Sequence, residues 1–236
     1  MEADVSYVTR EQWGAKPPKW TTVLNGSQGV FIHYNGGPVP SAVLAGEHVD
    51  VCAFLRSTQA YHQETQGWPD IAYSWAVSST GVRYELRGWG VVGAHTMNWN
   101  ERSHAIFLPL GGDQAPTEAQ IVAARQIVSE HNRLYGKGFV KGHQQAPNPT
   151  SCPGPQVMAR MAEFDPDYQQ PAGEEEEVKP VMMRRAKDGT ISVFYGNGFR
   201  YDCKPPDIDK FKFLGVPYLG DADPWFWQTT QPLKAG

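Results

Sequence analysis

Two histidines and a cysteine in the first two thirds of the 236-residue chain have side chains that could hold a metal ion. His33 follows a short apolar run and is expected at the carboxyl end of a strand, at the mouth of a sheet. His143 and Cys152 lie nine residues apart in a loop that prolines stiffen. Two imidazoles and one thiolate would bind zinc and leave its fourth position open, as in catalytic zinc sites. The spacing alone is weakly specific, and His33 taken by itself is better explained as a hydrogen-bonded core histidine.

The elements that would position these residues alternate between strands and helices. Apolar residues at spacings of three and four follow Ser41, which predicts a helix with Ser41 as its cap. Thr117 and Gln120 form a capping-box pattern that opens a second helix, and Gly136 would end it. Strands are predicted at residues 29–34, 72–78, 82–86 and 104–110, with a hairpin turn at 79–81. This mixture indicates an α/β fold with a mixed central β-sheet flanked by helices.

A run of four glutamates, with proline and glycine before it and proline after it, divides the chain near residue 175. Such a composition is typical of a solvated linker. We therefore predict a first domain at residues 1–168, an acidic linker at 169–180 and a small β-rich C-terminal domain at 181–236. Formal charge changes across this linker, from −3 for residues 1–173 to +3 for residues 178–236. In the second domain we predict strands at 190–195 and 199–201, with turns at 188–189 and 196–198.

Amino-acid composition restricts the binding partners and the cellular compartment that we expect for this chain. The chain carries 21 basic and 25 acidic residues, a balance that argues against nucleic acid as the main partner. No apolar stretch is long enough to cross a membrane, and Met1 to Asp4 lead into no apolar run, so we expect no membrane insertion and no secretory signal. Three scattered cysteines, Cys52, Cys152 and Cys203, are not a disulfide framework and favour synthesis in a reducing cytoplasm.

Seven separate motifs occur in a distinctive order, at residues 10–15 (REQWGA), 32–34 (IHY), 67–73 (GWPDIAY), 88–96 (GWGVVGAHT), 99–100 (WN), 142–143 (GH) and 150–154 (TSCPG). Together they resemble the zinc-dependent N-acetylmuramoyl-L-alanine amidases related to peptidoglycan recognition proteins and phage lysozyme-type amidases. The resemblance runs from about Thr9 to Met161. It implies the peptidoglycan-recognition/amidase fold, and it makes residues 1–168 a zinc amidase domain.

The resemblance also assigns roles to individual residues. The family's zinc ligands fall on His33, His143 and Cys152, and its active-site tyrosine falls on Tyr73. Thr150 occupies a position, two before the cysteine, that is lysine in some relatives and threonine in others. Positions that line the peptidoglycan groove fall on His95, Trp99 and Asn100, and Trp89 is a further candidate for that groove. One departure is His104 followed by Ala105, where relatives usually have an aliphatic residue and glycine.

The chemistry of amide hydrolysis fits those roles. An amide is a poor electrophile, and zinc both lowers the pKa of a bound water towards about 7 and polarises the carbonyl. The Tyr73 hydroxyl would hydrogen-bond the water or the tetrahedral oxygen, whereas Thr150 can donate a hydrogen bond but brings no cation. No buried carboxylate stands out as a general base. Among the other candidates, His62 is expected to make a structural hydrogen bond and Cys52 to be a small buried apolar residue.

These expectations lead to a specific biological hypothesis. The chain would be a phage endolysin, a monomer that stays in the host cytoplasm until holin-mediated release and then cuts bacterial peptidoglycan in the cell wall. Residues 181–236, which are rich in aromatic residues and net positive, would bind the wall. Two alternatives remain open: a peptidoglycan-binding protein of the same fold without activity, and a wall-degrading component of a phage tail.

Overall fold

The computed structural model describes residues 7–169 and, further along the chain, residues 181–185, 191–194, 199–202, 218–222 and 231–232. The chain divides into two compact units, Met1–Gln169 and Gln170–Gly236. Nearly all of the predicted acidic linker, and Cys203, lie outside the described residues. Among the residues that are described, no helix is both long enough and apolar enough to cross a membrane.

A five-stranded mixed sheet forms the centre of the first unit, as the sequence predicts. Its strands are β1 (Gly29–Gly36), β2 (Trp75–Val77), β3 (Arg83–Glu85), β4 (His104–Gly111) and β5 (Phe139–Gly142). Their order across the sheet is β3-β2-β4-β1-β5. The pairings β2–β4, β4–β1 and β1–β5 are parallel, and β2 and β3 form the predicted antiparallel hairpin, with shorter strands than expected.

Among the described residues, five α-helices flank this sheet: α1 (Arg10–Trp13), α2 (Ser41–Leu44), α3 (His48–Ala60), α4 (Glu118–Tyr135) and α5 (Pro155–Ala159). The capping box predicted for α4 is present, with Thr117 Oγ1 accepting from the Gln120 backbone N–H at 3.1 Å. The helix predicted to start with Ser41 as its cap differs in two ways. Pro40 is the N-cap and Ser41 is the first helical residue. The helix also breaks before α3, where Gly46 adopts a left-handed conformation with φ of 78°.

Two apolar clusters pack on the two faces of the sheet. Val30 and Ile32 of β1 pack with α4 in one cluster, whereas Phe107 of β4 packs with α3 residues in the other. Since successive side chains of a strand point to opposite faces, His33 lies on the face opposite Ile32, the α3 side. Burial of these residues holds β1 between β4 and β5 and therefore fixes the position of His33.

The described part of the second unit consists of five short strands. They are β6 (Val181–Arg185), β7 (Ile191–Phe194), β8 (Phe199–Asp202), β9 (Tyr218–Ala222) and β10 (Gln231–Pro232). They form one sheet in the order β10-β8-β7-β6-β9. Strands β6, β7 and β8 are successive antiparallel neighbours, whereas β9 and β10 join in parallel. The turns predicted at 188–189 and 196–198 lie outside the described residues.

Candidate metal centre

Sheet register places His33 beside His143. Strands β1 and β5 run parallel, with Ile32 opposite Gly142, so the next residue of each chain segment emerges at the same edge. His33 is still within β1, and His143 opens a short 3₁₀ turn that continues to Gln145. Their ring centroids are 4.6 Å apart. The two imidazoles are thus brought together by the backbone of the sheet.

The loop after this turn folds back to deliver Cys152. The Gln144 N–H donates to the Cys152 carbonyl at 2.6 Å, and the Cys152 N–H donates to Thr150 Oγ1 at 3.1 Å. Close approach of the loop to β5 requires glycine at position 142, because a Cβ there would lie 2.8 Å from Pro153 Cδ. The loop therefore returns the thiol to the end of the same strand that positions His143.

The three donor atoms fit a zinc ion. Cys152 Sγ lies 3.5 Å from His33 Nδ1, and the ligand atoms of His33, His143 and Cys152 all lie within 4.8 Å of one another. Zn–S and Zn–N bonds in tetrahedral geometry separate sulfur and nitrogen by about 3.6 Å. Within the described part of the chain this is the one cluster of three or more candidate ligands. Its imidazole and thiol donors suit zinc better than the oxygen-seeking magnesium or calcium ions.

Burial controls the protonation of these donors. Desolvation, assisted by His95 and His143, holds the pKa of His33 well below 6.5, so this imidazole is neutral and keeps a lone pair. Desolvation raises the pKa of the Cys152 thiol to about 12 in the metal-free protein. A metal must therefore displace the thiol proton when it binds.

Tyr73 lies beside His33, His143 and Cys152, which we call the trio. Its ring stacks on Phe107 at a centroid distance of 4.6 Å and lies 5.2 Å from the His33 ring. Burial, and to a smaller degree Cys152, raises the Tyr73 pKa above its usual value of 10, so the hydroxyl stays protonated at neutral pH and can donate a hydrogen bond.

The Arg87 side chain holds the loop that carries Tyr73. Its guanidinium donates to the carbonyls of Asp70, Ile71 and Val92. Burial lowers the pKa of this guanidinium to about 10, and it therefore remains charged at neutral pH. One side chain thus ties three backbone carbonyls together beneath the tyrosine.

A cavity of about 460 Å³ opens above the trio. Besides His33, His143 and Cys152, its lining includes Tyr73, Thr150, His95, His62 and Trp68.

His62 does make the predicted hydrogen bond, since its Nδ1 accepts from the Ala72 N–H at 3.2 Å. Its place in the wall of the cavity was not predicted. α3 ends in a π turn, Tyr61–Thr65, and apolar periodicity carries no signal for that change of helix type.

The residues predicted to line the peptidoglycan groove lie in different environments: His95, Trp99, Asn100 and Trp89. His95 reaches the cavity wall, although only 7% of its surface is exposed. Asn100 uses its Oδ1 within the protein, accepting from the His95 and Thr96 N–H groups at 2.7 and 2.9 Å. The Trp99 ring packs edge-on against Phe31, at 5.7 Å. Neither Asn100 nor Trp99 is among the described residues that line the cavity above the trio.

Trp89 packs on the other side of the sheet, in a cluster of buried polar and aromatic groups. Its ring meets His104 edge-on at 4.8 Å and is not among the described lining residues of the cavity above the trio. In this cluster His104 Nδ1 lies 3.1 Å and His131 Nε2 lies 2.7 Å from Ser27 Oγ. The departure from the family pattern at His104 therefore coincides with a hydrogen-bonded link between β4, α4 and the segment before β1.

Comparison with known proteins agrees with this geometry. The family model for N-acetylmuramoyl-L-alanine amidase matches residues 25–155. Peptidoglycan-recognition protein SC2 of Drosophila melanogaster is 32% identical over 158 residues, which span 65% of this chain and 83% of that protein. The N-acetylmuramoyl-L-alanine amidase of Homo sapiens is 36% identical over 155 residues, which span 61% of this chain but only 26% of the human protein.

Solved structures show the same fold. Drosophila PGRP-LB superposes with a TM-score of 0.61 at 27% identity and covers 70% of this chain and 99% of its own. Peptidoglycan recognition protein-LE in complex with tracheal cytotoxin, a monomeric diaminopimelic acid-type peptidoglycan, gives a TM-score of 0.61 at 26% identity, covering 69% of this chain and 95% of its own. With more than half of its length matched by the family model, the chain belongs to the N-acetylmuramoyl-L-alanine amidase family and has the fold of the peptidoglycan recognition proteins.

Proposed function

We propose that this protein is a zinc-dependent amidase that hydrolyses the bond between the lactyl group of N-acetylmuramic acid and the L-alanine of the stem peptide. The observation that carries the proposal is the trio His33, His143 and Cys152 at the base of an open cavity, with the Tyr73 ring 5.2 Å from His33. Three candidate ligands that face an open cavity support this proposal, because catalytic zinc sites combine three protein ligands with a position open to water or substrate.

The residues of the chain have separable tasks in this reaction. His33, His143 and Cys152 would hold the zinc, which supplies an acidified water and polarises the scissile carbonyl. Tyr73, kept protonated by burial, donates a hydrogen bond to the oxygen that gains charge. Thr150 Oγ1 accepts from the Cys152 N–H, so its own hydroxyl proton remains available to an oxygen in the cavity. None of the described residues that line the cavity is an Asp or a Glu, so these residues do not include the pair of carboxylates that glycosidases use.

Peptidoglycan is the substrate class that the relatives support. Two of the similar solved structures, a tyrosine-to-phenylalanine mutant of Drosophila PGRP-LB and peptidoglycan recognition protein-LE, are complexes with tracheal cytotoxin. Recognition of peptidoglycan without cleavage is the second candidate function, because several relatives are named for recognition. The complete trio with Tyr73 favours hydrolysis, since a protein that only binds needs no metal ligands.

Metal content and product chemistry test the proposal together. The full chain loaded with zinc should hold one equivalent and should free L-alanine amino termini from purified peptidoglycan without new reducing sugar ends. Cys152→Ser should lose both zinc and activity, because a hydroxyl is a far weaker anionic ligand. Cys52→Ser is the matched control, since Cys52 lies apart in the α3 core cluster. Stoichiometric zinc and full activity in Cys152→Ser, or reducing ends alone, would overturn the proposal.

We further infer that the protein acts as a phage endolysin, held in the host cytoplasm until a holin releases it, with the second unit binding the cell wall. The wall-binding part of this inference is supported by the charge of +3 over residues 178–236 and by the glutamate-rich segment that precedes them. A chain ending at Gln169 should keep its zinc and hydrolyse soluble muropeptides, yet sediment less with cell walls, most clearly at low ionic strength. Equal sedimentation of the short and full chains would contradict the wall-binding role.

A further inference from the structure

A line of buried polar groups runs from the metal trio into the protein. Thr96 Oγ1 lies 3.3 Å from His33 Nε2 on one side and 3.0 Å from His95 Nδ1 on the other. His95 Nε2 in turn lies 3.3 Å from the carbonyl oxygen of Ser103. His33, Thr96 and Ser103 are at most 1% exposed. Water is therefore largely kept away, and these groups must satisfy one another.

The chemistry of the terminal group fixes the direction of every hydrogen bond in this line. The Ser103 carbonyl can only accept, so His95 Nε2 must carry a proton. In a neutral imidazole, the form that burial favours, His95 Nδ1 is then an acceptor, and the Thr96 hydroxyl must donate to it. Thr96 Oγ1 is left to accept from His33 Nε2–H. With its Nε2 protonated, a neutral His33 presents the Nδ1 lone pair towards Cys152 Sγ, 3.5 Å away.

The backbone around this line is held in place as well. Asn100 Oδ1 accepts from the N–H groups of both His95 and Thr96, at 2.7 and 2.9 Å. The Ser103 hydroxyl donates to the Trp99 carbonyl at 2.7 Å, which closes the same loop from its other end. The positions of the Thr96 hydroxyl and of the Ser103 carbonyl are therefore set by contacts other than those to His33.

We propose that Thr96, oriented by His95 and the Ser103 carbonyl, is a positioning residue that holds His33 in the tautomer whose Nδ1 faces the metal. The inference rests on the proposed metal site and adds a residue that acts through His33 without touching the substrate. A threonine hydroxyl suits the task because it accepts from one ring and donates to the other. Partners that orient a metal-binding histidine typically change metal affinity by about 10- to 100-fold when removed.

Zinc affinity of three full-length variants, measured by competition with a chromophoric chelator, tests this role. Thr96→Val keeps the shape but removes the hydroxyl and should weaken zinc binding by about 10- to 100-fold. Thr96→Ser should restore most of the affinity. Thr58→Val is the control, since the Thr58 hydroxyl donates to the Phe54 carbonyl within α3, away from the site. Unchanged affinity in a folded Thr96→Val protein would overturn the proposal.

A second measurement needs no variant and no metal. Nitrogen NMR of the metal-free full chain should show His33 with Nε2 protonated and Nδ1 unprotonated, and the opposite tautomer would overturn the proposal even if Thr96→Val failed to fold. The two ideas remain distinguishable. Failure of the wild-type chain to bind zinc would refute the proposed function, whereas zinc binding that is indifferent to the Thr96 hydroxyl would refute only the positioning role.

Discussion

Ile32 of β1 and Gly142 of β5 are partners in a parallel strand pairing, and the residues that follow them are His33 and His143. That register brings the two backbone positions side by side, and the two rings lie 4.6 Å apart. A pair of candidate metal ligands placed at the ends of adjacent parallel strands is preorganised, because the central sheet holds their backbone positions. The third candidate ligand, Cys152, depends instead on a loop that must pack tightly against the end of β5.

The first prediction concerns that packing. Gly142→Ala should destabilise the protein by about 1–3 kcal/mol and weaken zinc binding, because the new Cβ would lie 2.8 Å from Pro153 Cδ and push the Cys152 loop away. Gly142 has an ordinary extended conformation, φ −74° and ψ 150°, so backbone strain would not explain the effect. Gly37→Ala serves as the control, since its Cβ would come no closer than 3.6 Å to Asn35 Nδ2. Thermal unfolding and zinc titration of both variants decide the point, and equal behaviour would contradict the role given to Gly142.

The second prediction concerns Tyr73. Tyr73→Phe should lower kcat by about 100- to 1,000-fold while zinc content stays at one equivalent, because the hydroxyl acts on charge that develops in the transition state. Tyr61→Phe is the matched control: Tyr61 is 52% exposed, and its hydroxyl accepts a hydrogen bond from Gln66 Nε2 at 2.7 Å. Steady-state kinetics on a soluble muropeptide provide the measurement. An unchanged kcat in Tyr73→Phe would remove the hydroxyl from the mechanism.

The third prediction concerns the pH dependence of stability. Burial lowers the pKa of His104 to about 3, and burial also lowers the pKa of His131, while both rings titrate near 6.5 in the unfolded chain. Below about pH 6.5 the unfolded state therefore binds more protons than the folded state. The contribution of each ring to stability is complete above about pH 6.5 and is lost progressively as the pH falls towards the folded value.

Urea unfolding at pH 7.5 and pH 5 checks this prediction. A ring that stays neutral when folded should account for at most about 2 kcal/mol of the loss between these conditions. His104→Ile removes one such ring, so its loss of stability on acidification should be smaller than that of the wild-type chain. Identical pH dependence in the two proteins would show that His104 does not resist protonation in the fold.

Much of the architecture was accessible from the sequence because local signals and burial agree there. A short apolar run predicted β1, residues 104–110 were predicted as a further strand where β4 lies, and the capping pattern of Thr117 and Gln120 predicted the start of α4. The break between α2 and α3 was missed because it depends on the left-handed conformation of Gly46. A glycine inside an apolar periodic segment does not by itself indicate whether the helix continues.

The candidate site was predictable to a different degree at each residue. His33, His143, Cys152 and Tyr73 were identified through motifs, and the structure brings them around one cavity. Motif matching could not separate a side chain that faces the cavity from one that supports it. Asn100 illustrates the difficulty, since its Oδ1 accepts from two backbone N–H groups, a role that depends on the conformation of residues 95–100 and not on residue type.

Hydrolysis of a soluble muropeptide in water labelled with heavy oxygen, followed by mass spectrometry of the products, tests the central claim most directly. The zinc-loaded full chain should place one labelled oxygen in the lactyl carboxylate and release a stem peptide with a free L-alanine amino group, because the attacking oxygen joins the carbonyl carbon as the C–N bond breaks. The Cys152→Ser protein should release neither product. Label at a sugar anomeric carbon, or an intact muropeptide after incubation with the zinc-loaded chain, would contradict the account.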